Sequence, residues 1–444
     1  MKPLRCIVMG AAGRDFHDFQ TFFRDRPEFR VVAFTAAQIP FIEHRAFPRE
    51  LAGAGYAEDI PIFPEPELER LIGELDVDFV FLSYSDLSHE EVMHRASRAQ
   101  AAGAAFALLG PRHTQLRSRR TVVAVTATRT GAGKSPITLA IAAGLRSRGV
   151  RAAVLRHPMP YGDLRRQAVQ RFAAEADLEA AECTVEEREE YQPYLEAGLA
   201  VFAGVDYRAV LAAAEQEAGV VLWDGGNNDY PFLRPDLSIV ALDALRPGCE
   251  TSWYPGETNL RSADAVVITK VSGAAPGAVA ALRRSAAALA PRAAVLEGDL
   301  AIAVDRPEAI SGRRALVVED GPTLTHGGMA YGAGTVAAHR CGAREIVDPR
   351  PAAVGSIAEA FARYPHLGPV LPALGYSADQ RRELARTIAA SGAEVLVDAS
   401  PARLDRFLDL AIPTVRVRYH FEQRAGPPLL ELVAAALARG RRTP

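Results

Sequence analysis

The sequence predicts an α/β protein with mainly parallel sheets, because short apolar runs alternate with helical patterns along its 444 residues. Strands are expected at residues 4–9, 30–35, 79–83, 104–109, 122–125, 151–155, 220–223, 265–268, 315–319, 345–347, 394–397 and 414–417. A basic polar connector at residues 112–120 separates two groups of these strands. Residues 1–118 are therefore predicted to form a small first domain. Residues 119–444 are predicted to form a larger core, with an α/β extension from about residue 301.

The first domain is expected to be Rossmann-like, because its first strand ends in the turn Gly10-Ala11-Ala12-Gly13 before a helical stretch. This turn is only a partial dinucleotide fingerprint, since it lacks the full GxGxxG spacing. Such glycines also serve simple strand-to-helix packing, so both interpretations stay open. Residues 84–86 and His89 follow a strand, where they either meet a ligand or cap the next helix.

A phosphate-binding loop is predicted at the start of the larger core. The buried run at residues 122–125 leads into Arg129-Thr130-Gly131-Ala132-Gly133-Lys134-Ser135, and a helical pattern starting with Pro136 follows. Backbone N–H groups of such a loop cradle phosphate oxygens, and the lysine reaches the β and γ oxygens. The nucleotide-binding residues are therefore expected to be Thr130, Gly131, Ala132, Gly133, Lys134, Ser135 and Pro136. Thr128 stands where the common pattern has its first glycine, and Arg129 adds a basic group early in the loop.

Lysine usage supports this interpretation. The chain has 51 Lys and Arg residues, and only Lys2, Lys134 and Lys270 are lysines. A compact ammonium has therefore been kept at two internal positions where a planar guanidinium is chemically different. Lys270 lies in Thr269-Lys270-Val271-Ser272, which resembles the NKxD base-recognition motif of GTPases without its aspartate. Thr269 and Lys270 are thus further nucleotide-binding candidates, and ATP is favoured over GTP.

A metal-binding strand end follows the loop in the expected order. Four apolar residues at 220–223 end in Asp224, followed by Gly225-Gly226, which matches a Walker B strand. We expect Ser135 and Asp224 to hold Mg²⁺ beside ATP. Lys134, Asp224, Arg129, His157 and Asp163 are the predicted catalytic residues.

A second anion site is expected close to the nucleotide. Its candidate residues are cationic side chains in turn-rich loops, since guanidinium groups bind phosphate and carboxylate bidentately: Arg156, His157, Arg246, Arg261 and His326. Residues 320–329 place a carboxylate, hydroxyls and an imidazole before a helix N-terminus, which is also typical of an anion site. The charged run at residues 186–191 is interpreted as a solvated helix face.

Composition limits the possible partners. The net charge of −3 predicts neither nucleic-acid nor membrane-surface binding, and no apolar run reaches membrane-spanning length. Cys6, Cys183, Cys249 and Cys341 are scattered, which argues against a disulfide framework or a structural zinc site. The sequence has no signal-peptide pattern at its start, so a cytoplasmic location is expected.

Eight stretches resemble the cyclic 2,3-diphosphoglycerate synthetase family of methanogens and its bacterial relatives, often labelled predicted GTPases. They are GAAGRDFHDF, RTGAGKS, RHPMPYGDL, EEREEY, WDGGNND, YPGETNLR, EDGPTLTHGGM and YPHLGPVLPALGYS. The resemblance implies a P-loop of the dethiobiotin synthetase and nitrogenase iron protein class. It also implies a homodimer that uses ATP and Mg²⁺ to close an intramolecular phosphoanhydride in 2,3-diphosphoglycerate. Lys134, Ser135 and Asp224 carry over as nucleotide and metal residues.

Alternatives stay open at this point. The high Ala and Arg content suggests the coding bias of a GC-rich bacterium. Because such bacteria are not expected to accumulate the cyclic solute, the substrate could be another small anionic metabolite. A regulatory P-loop NTPase or metallochaperone acting on a protein partner is the second class. A dinucleotide-sensing protein that uses the turn at residues 10–13 is the third.

Overall fold

A computed structural model describes residues 2–11, 13–37, 45–157, 162–325, 327–374, 377–406 and 408–440 of the chain. Its strands form three sheets, of six, thirteen and two strands. The two-stranded sheet pairs residues 87–88 of the N-terminal region with residues 253–254 of the larger core. The mixed α/β architecture with mainly parallel strands confirms the predicted fold class. Among the described residues, no helix combines the length and apolar character needed to cross a membrane.

The six-stranded sheet is built from the first 107 residues, in the order β3-β4-β2-β1-β5-β7. All its pairings are parallel except that of β3 with β4. Its strands, with the short strand β6, are β1 Leu4–Met9, β2 Phe29–Ala36, β3 Ala46–Phe47, β4 Ile60–Pro64, β5 Phe79–Leu82, β6 Leu87–Ser88 and β7 Ala105–Ala107. The helices of this region are α1 Arg14–Asp18, α2 Arg49–Ala52, α3 Leu68–Glu74, α4 His89–Ala101 and α5 Pro111–Thr114.

The large sheet begins after residue 120 and has the P-loop strand near its middle. Its first half follows the order β10-β11-β9-β12-β8-β13-β15-β16. These strands, with the separate short strand β14, are β8 Thr121–Ala127, β9 Ala152–Arg156, β10 Gln170–Phe172, β11 Val201–Ala203, β12 Val220–Asp224, β13 Leu237–Asp243, β14 Trp253–Tyr254, β15 Ala265–Thr269 and β16 Ala294–Val304. Their helices are α6 Lys134–Ser147, α7 Glu175–Ala180, α8 Val185–Glu196, α9 Tyr207–Glu217, α10 Gly256–Arg261 and α11 Ala278–Leu289.

The C-terminal third extends this sheet. The antiparallel pair of β16 with β21 continues the order as β21-β20-β17-β18, and β19 pairs with β17. Its strands are β17 Arg314–Glu319, β18 Glu345–Ile346, β19 Leu371–Pro372, β20 Val395–Asp398 and β21 Thr414–Ala425. Its helices are α12 Gly321–Thr325, α13 Ala333–Arg340, α14 Gly355–Arg363, α15 Ala378–Ala390 and α16 Leu429–Gly440.

Parallel strands covered by helices on both faces explain the continuous apolar runs. All five residues of β12 are buried, as are those of β13 and β15. Trp223 of β12 is fully buried against Tyr207 of α9 and against Phe232. The carboxyl ends of these strands therefore meet at one edge of a rigid sheet, which is where the sequence predicted the site.

The seam between β16 and β21 offers a test of this architecture. A Cβ on Gly298 would lie 2.4 Å from the Phe421 ring and 2.8 Å from the Glu422 carbonyl oxygen, next to a register shift. We expect Gly298→Ala to lower the free energy of unfolding by about 1–3 kcal/mol, because overpacking forces neighbouring atoms apart. Urea unfolding measures the change.

Gly55→Ala is the matched control, since nothing lies within 4 Å of a Cβ at Gly55. Equal stability of the two variants would show that the seam is not packed as described.

Candidate nucleotide and substrate site

The predicted phosphate-binding loop connects β8 to α6 in the large sheet. Gly131 and Gly133 have φ values of +82° and +99°, a left-handed region that strains other residues, and Lys134 begins the helix. The loop borders a cavity of about 660 Å³, which Thr130, Gly131, Gly133, Lys134, Ser135 and Pro136 line. Ala132, between the two glycines of the loop, is buried, and its carbonyl oxygen accepts a hydrogen bond of 2.7 Å from the Thr269 hydroxyl. The helix N-terminus thus opens toward the cavity, as an anion site requires.

Lys134 carries the main positive charge at this end of the cavity. Its Nζ donates a hydrogen bond of 2.8 Å to Oδ1 of Asn228. Burial lowers the pKa of Lys134, while the carboxylate of Asp224 acts to raise it. A desolvated ammonium needs such compensation, and it gains more still from a phosphate placed in the loop.

Asp224 and Arg156 form a buried charged group behind the loop. Nη1 of Arg156 lies 2.7 Å from Oδ2 of Asp224, and Arg156 also pairs with Glu190. The Tyr194 hydroxyl donates to the same Asp224 oxygen. Arg156 also lines the cavity. Its charge is largely neutralised by the carboxylates of Asp224 and Glu190.

The chemistry of Asp224 and Ser135 fits Mg²⁺. Oδ1 of Asp224 is buried and has no hydrogen bond among the described residues, and the Ser135 side chain borders the cavity. Within the described ranges, no group of three His, Cys, Asp or Glu side chains could hold a metal by itself. Magnesium beside ATP takes only one or two protein ligands and completes its shell with phosphate and water.

His157 pairs with Asp229 through Nδ1, next to the strand end of β9. It packs beneath Gly226, where a Cβ would lie 2.9 Å from the Cβ of His157. The structure therefore places His157 beside the Walker B loop as a support of its backbone. It is not among the residues that line the described cavity.

Asp243, at the end of β13, orients two cations toward the loop. Nζ of Lys270 donates to the Gly131 carbonyl oxygen at 2.7 Å and to Asp243 at 2.8 Å. Arg246 donates to the Thr130 carbonyl oxygen at 2.6 Å and to Asp243 at 2.9 Å. Both predicted cations thus hold the outer side of the loop. Although burial acts to raise the pKa of Asp243, Lys270 and then Arg246 bring it below its ordinary value.

The remaining predicted residues lie at different distances from this cavity. Arg129 faces Asp86 of the first region and Gly327 at the loop after α12. Arg261 is exposed and pairs with Glu257, and Asp163 is exposed and accepts the Arg165 backbone N–H. Neither Arg261 nor Asp163 lines the cavity. His326 lies outside the described residues.

The interpretation of residues 186–191 as a solvated helix face is wrong. The buried residues of this run are Glu186, Glu187, Arg188, Glu189 and Tyr191. Helix α8 contacts β9 and β11, and its first residue, Val185, packs in a cluster with Leu316 and Val318 of β17. A charged run shows its helix periodicity but not what the helix will pack against. Burial, with Asp320 and Glu186 close by, raises the pKa of Glu189 well above its ordinary value.

The expected anion site at residues 320–329 is filled by the protein's own carboxylates. Asp320 accepts from the Thr323 hydroxyl at the start of α12. Glu319 accepts backbone N–H groups of Gly332, Gly334 and Thr335, at 2.8 to 3.0 Å, at the start of α13. This end of the cavity is therefore acidic. It also carries Tyr419 of β21 and Glu190 of α8.

The turn at residues 10–13 is likewise filled. The Asp15 carboxylate accepts the N–H groups of Gly13 and Phe16, at 3.1 and 2.7 Å. A Cβ on Gly10 would lie 2.6 Å from Oδ2 of Asp15. A side-chain carboxylate thus takes the position that a dinucleotide phosphate would need at this helix start, which favours the packing interpretation.

Glu189 and Glu190 were misread as part of a solvated helix face. Asp86 and Asp320 lie in stretches that the sequence had marked as possible ligand contacts. The sequence patterns did not point to Asn228, Asp243 or Glu319. Asp243 was detectable, since the apolar run Leu237–Asp243 ends in an aspartate as β12 does. The others act through contacts between distant segments, for which the local pattern carries no signal.

We expect Asp243→Asn to lower the free energy of unfolding by about 2 kcal/mol at neutral pH, because it leaves two partly buried cations without their carboxylate. A carboxylate with a depressed folded-state pKa stabilises fully above the unfolded-state value of about 3.9. The difference from wild type should therefore shrink as the pH falls below about 4. Urea unfolding at several pH values measures it.

Asp379→Asn is the control, since Asp379 is 78% exposed and pairs with Arg382 on the same helix. A difference between wild type and Asp243→Asn that grew on acidification would contradict the assignment.

Comparison with known proteins supports one family. No family model matches the chain. It is 38% identical over 208 residues to the tetraacyldisaccharide 4'-kinase of Anaeromyxobacter sp. (strain K), covering 41% of this chain and 52% of that one. LpxK from Aquifex aeolicus, solved with ATP, covers 83% of this chain and 99% of its own, with 12% identity and a TM-score of 0.42.

The match to one protein spans both regions of the chain. Over 432 residues the sequence is 55% identical to the arginine synthetase ArcE of Thermococcus kodakarensis, covering 97% of this chain and 96% of that protein. The resemblance to a synthetase family is therefore confirmed in its general form, and the name cyclic 2,3-diphosphoglycerate synthetase is not shown. The chain belongs to the family of the arginine synthetase ArcE.

Proposed function

We propose that this protein is an ATP- and Mg²⁺-dependent synthetase that forms arginine by replacing an oxygen of a ureido group with nitrogen. The observation that carries the proposal is a cavity that both the phosphate-binding loop and the carboxylates Glu319 and Asp320 line. The name of the relative ArcE supports the same product. The expected polyanionic substrate, 2,3-diphosphoglycerate, is thus replaced by a ureido compound whose reacting group becomes a cationic guanidinium.

The nucleotide end explains the use of ATP. The loop and the N-terminus of α6 offer N–H groups to the phosphates, and Lys134 lies where the β and γ oxygens would be. Lys270 and Arg246 hold the loop carbonyl groups from outside. Ser135 and Asp224 would hold Mg²⁺, which when bound supplies positive charge against the phosphate oxygens.

The acidic end explains the substrate class. The cavity lining includes Glu190, Asp299, Glu319 and Asp320. Three lining cations already face carboxylates: Arg156 faces Glu190 and Asp224, Lys270 faces Asp243, and Arg424 faces Asp299. A guanidinium or ammonium group gains from Glu319 and Asp320 on this wall.

The proposed chemistry has two steps that use both ends. The ureido oxygen attacks the γ-phosphorus, an O–P bond forms, and the bond to the β-phosphate oxygen breaks to release ADP. Ammonia then attacks the activated carbon, and the C–O bond to phosphate breaks as the C–N bond forms. The proton lost by the nitrogen needs an acceptor, for which Asp320 is a candidate because it lines the cavity.

The proposal is tested with purified protein, MgATP, ammonium and citrulline, which is the ureido analogue of arginine. We expect arginine, ADP and phosphate in equal amounts, measured by amino-acid analysis and nucleotide chromatography. Lys134→Ala should reduce the rate by about 100-fold or more, because it removes the cation nearest to the transferred phosphate.

Lys2→Ala is the matched control, because Lys2 is an exposed lysine paired with Asp76. It should keep the wild-type rate. ADP release with 2,3-diphosphoglycerate, a cyclic phosphoanhydride product and no arginine would overturn the proposal in favour of the sequence-based alternative. Homodimerisation remains a prediction, to be measured by light scattering.

A further inference from the structure

The first region of the chain places one carboxylate beside the phosphate-binding loop. Strand β6, at Leu87–Ser88, pairs antiparallel with β14, at Trp253–Tyr254, and so ties the first region to the core. Asp86 immediately precedes β6, and its side chain is only 5% exposed. The sequence left residues 84–86 open between a ligand contact and a helix cap. Ser88, through a capping box with Glu91, is the cap of α4, so Asp86 is left for another role.

Asp86 reaches Lys134 through one side chain. Asn228 Nδ2 donates to Oδ1 of Asp86 at 2.9 Å, and Asn228 Oδ1 accepts from Nζ of Lys134 at 2.8 Å. An ammonium only donates and a carboxylate only accepts, so the Asn228 amide can take only this orientation. Nδ2 also lies 3.1 Å from the Thr130 hydroxyl oxygen of the loop. The amide thus ties Asp86, the loop and Lys134 together.

Asp86 also faces the second cation of the loop. Nη1 of Arg129 lies 3.5 Å from Oδ1 of Asp86, and the Arg129 guanidinium lies 3.1 Å from the centre of the Trp253 ring. Trp253 is the β14 residue that pairs with Ser88. The strand pair that carries Asp86 therefore also carries the aromatic ring on which Arg129 rests.

The backbone at both ends of this contact is unusual. Asp86 and Asn228 have φ values of +58° and +56°, and Asn228 is 1% exposed. Such residues cost of order 1–3 kcal/mol each and persist where the surroundings enforce them, often at functional sites. Oδ2 of Asp86 is buried without a hydrogen bond among the described residues, which adds a desolvation cost. Two strained residues and an unpaired carboxylate oxygen meet at one contact.

We propose that Asp86 is a positioning residue for phosphoryl transfer, supplied to the loop by the N-terminal region. It acts on Lys134 through Asn228 and on Arg129 directly, so the nucleotide site is complete only when both regions are joined by β6 and β14. This proposal rests on the proposed use of ATP, and it adds a residue and a region that no comparison assigns to the site.

The test is the Asp86→Asn variant, which removes the charge but keeps a residue that tolerates a positive φ. We expect kcat for ADP release to fall by about 10-fold or more, because misplaced cations stabilise the transition state less. The KM for ATP should change less than threefold, and the melting temperature should stay close to that of wild type. A residue with a merely structural role would lower stability without this split between kcat and KM.

Asp76→Asn is the matched control. Asp76 is also an aspartate at positive φ in the first region, but it is exposed and pairs with Lys2. Its variant should keep the wild-type kcat.

A double-variant cycle tests the route through Asn228. Asn228→Gly removes the amide at a backbone conformation that glycine adopts freely. Because Asp86 acts partly through Asn228 and partly on Arg129, the double variant should be slower than Asn228→Gly by clearly less than the full Asp86→Asn factor. Multiplied losses, or a wild-type kcat in Asp86→Asn, would overturn this proposal alone. Wild-type protein that binds no MgATP in calorimetry would instead overturn the proposed function, and this proposal with it.

Discussion

The structure depends on how the charges at the carboxyl edge of the large sheet are compensated after burial. Moving an ammonium or carboxylate out of water costs several kcal/mol unless partners replace the lost hydration. Lys134 has Asn228, Lys270 has Asp243, and Arg156 has Asp224 and Glu190. These partners come from three places in the sequence, namely α8, the end of β12 with the loop that follows it, and the end of β13. The site is therefore a property of the assembled sheet rather than of the loop alone.

This arrangement places two kinds of charge around one cavity. The loop side presents N–H groups and cations supported from behind by Asp243, which suits phosphate. Glu319 and Asp320 line the same cavity, and their carboxylates are held at the starts of α13 and α12. We propose that the ureido group of the substrate lies between these carboxylates and the loop, where it takes the phosphate and then becomes a guanidinium. Membership of the ArcE family agrees with this interpretation.

Local sequence patterns predicted those parts of the fold and of the site whose residues are adjacent in sequence. Apolar runs followed by glycines predicted β8 and β12, and GKS predicted the loop, because strand, turn and helix N-terminus are adjacent in sequence. The charged run in α8 was misread, since its burial is decided by the C-terminal strands that pack on it. Strand β21 runs to Ala425, well beyond the expected residues 414–417, because its polar residues pair with β16. Asp86 could not be placed, since pairing of β6 with β14 brings it across the chain.

The central claim is that a substrate oxygen takes the γ-phosphoryl group of ATP before nitrogen replaces it. The most direct measurement uses citrulline labelled with oxygen-18 in the ureido group, followed by mass spectrometry of the released phosphate. We expect one labelled oxygen in each phosphate formed together with arginine. Phosphate without the label, formed at the same rate as arginine, would show that its oxygen comes from water and would contradict this order of steps.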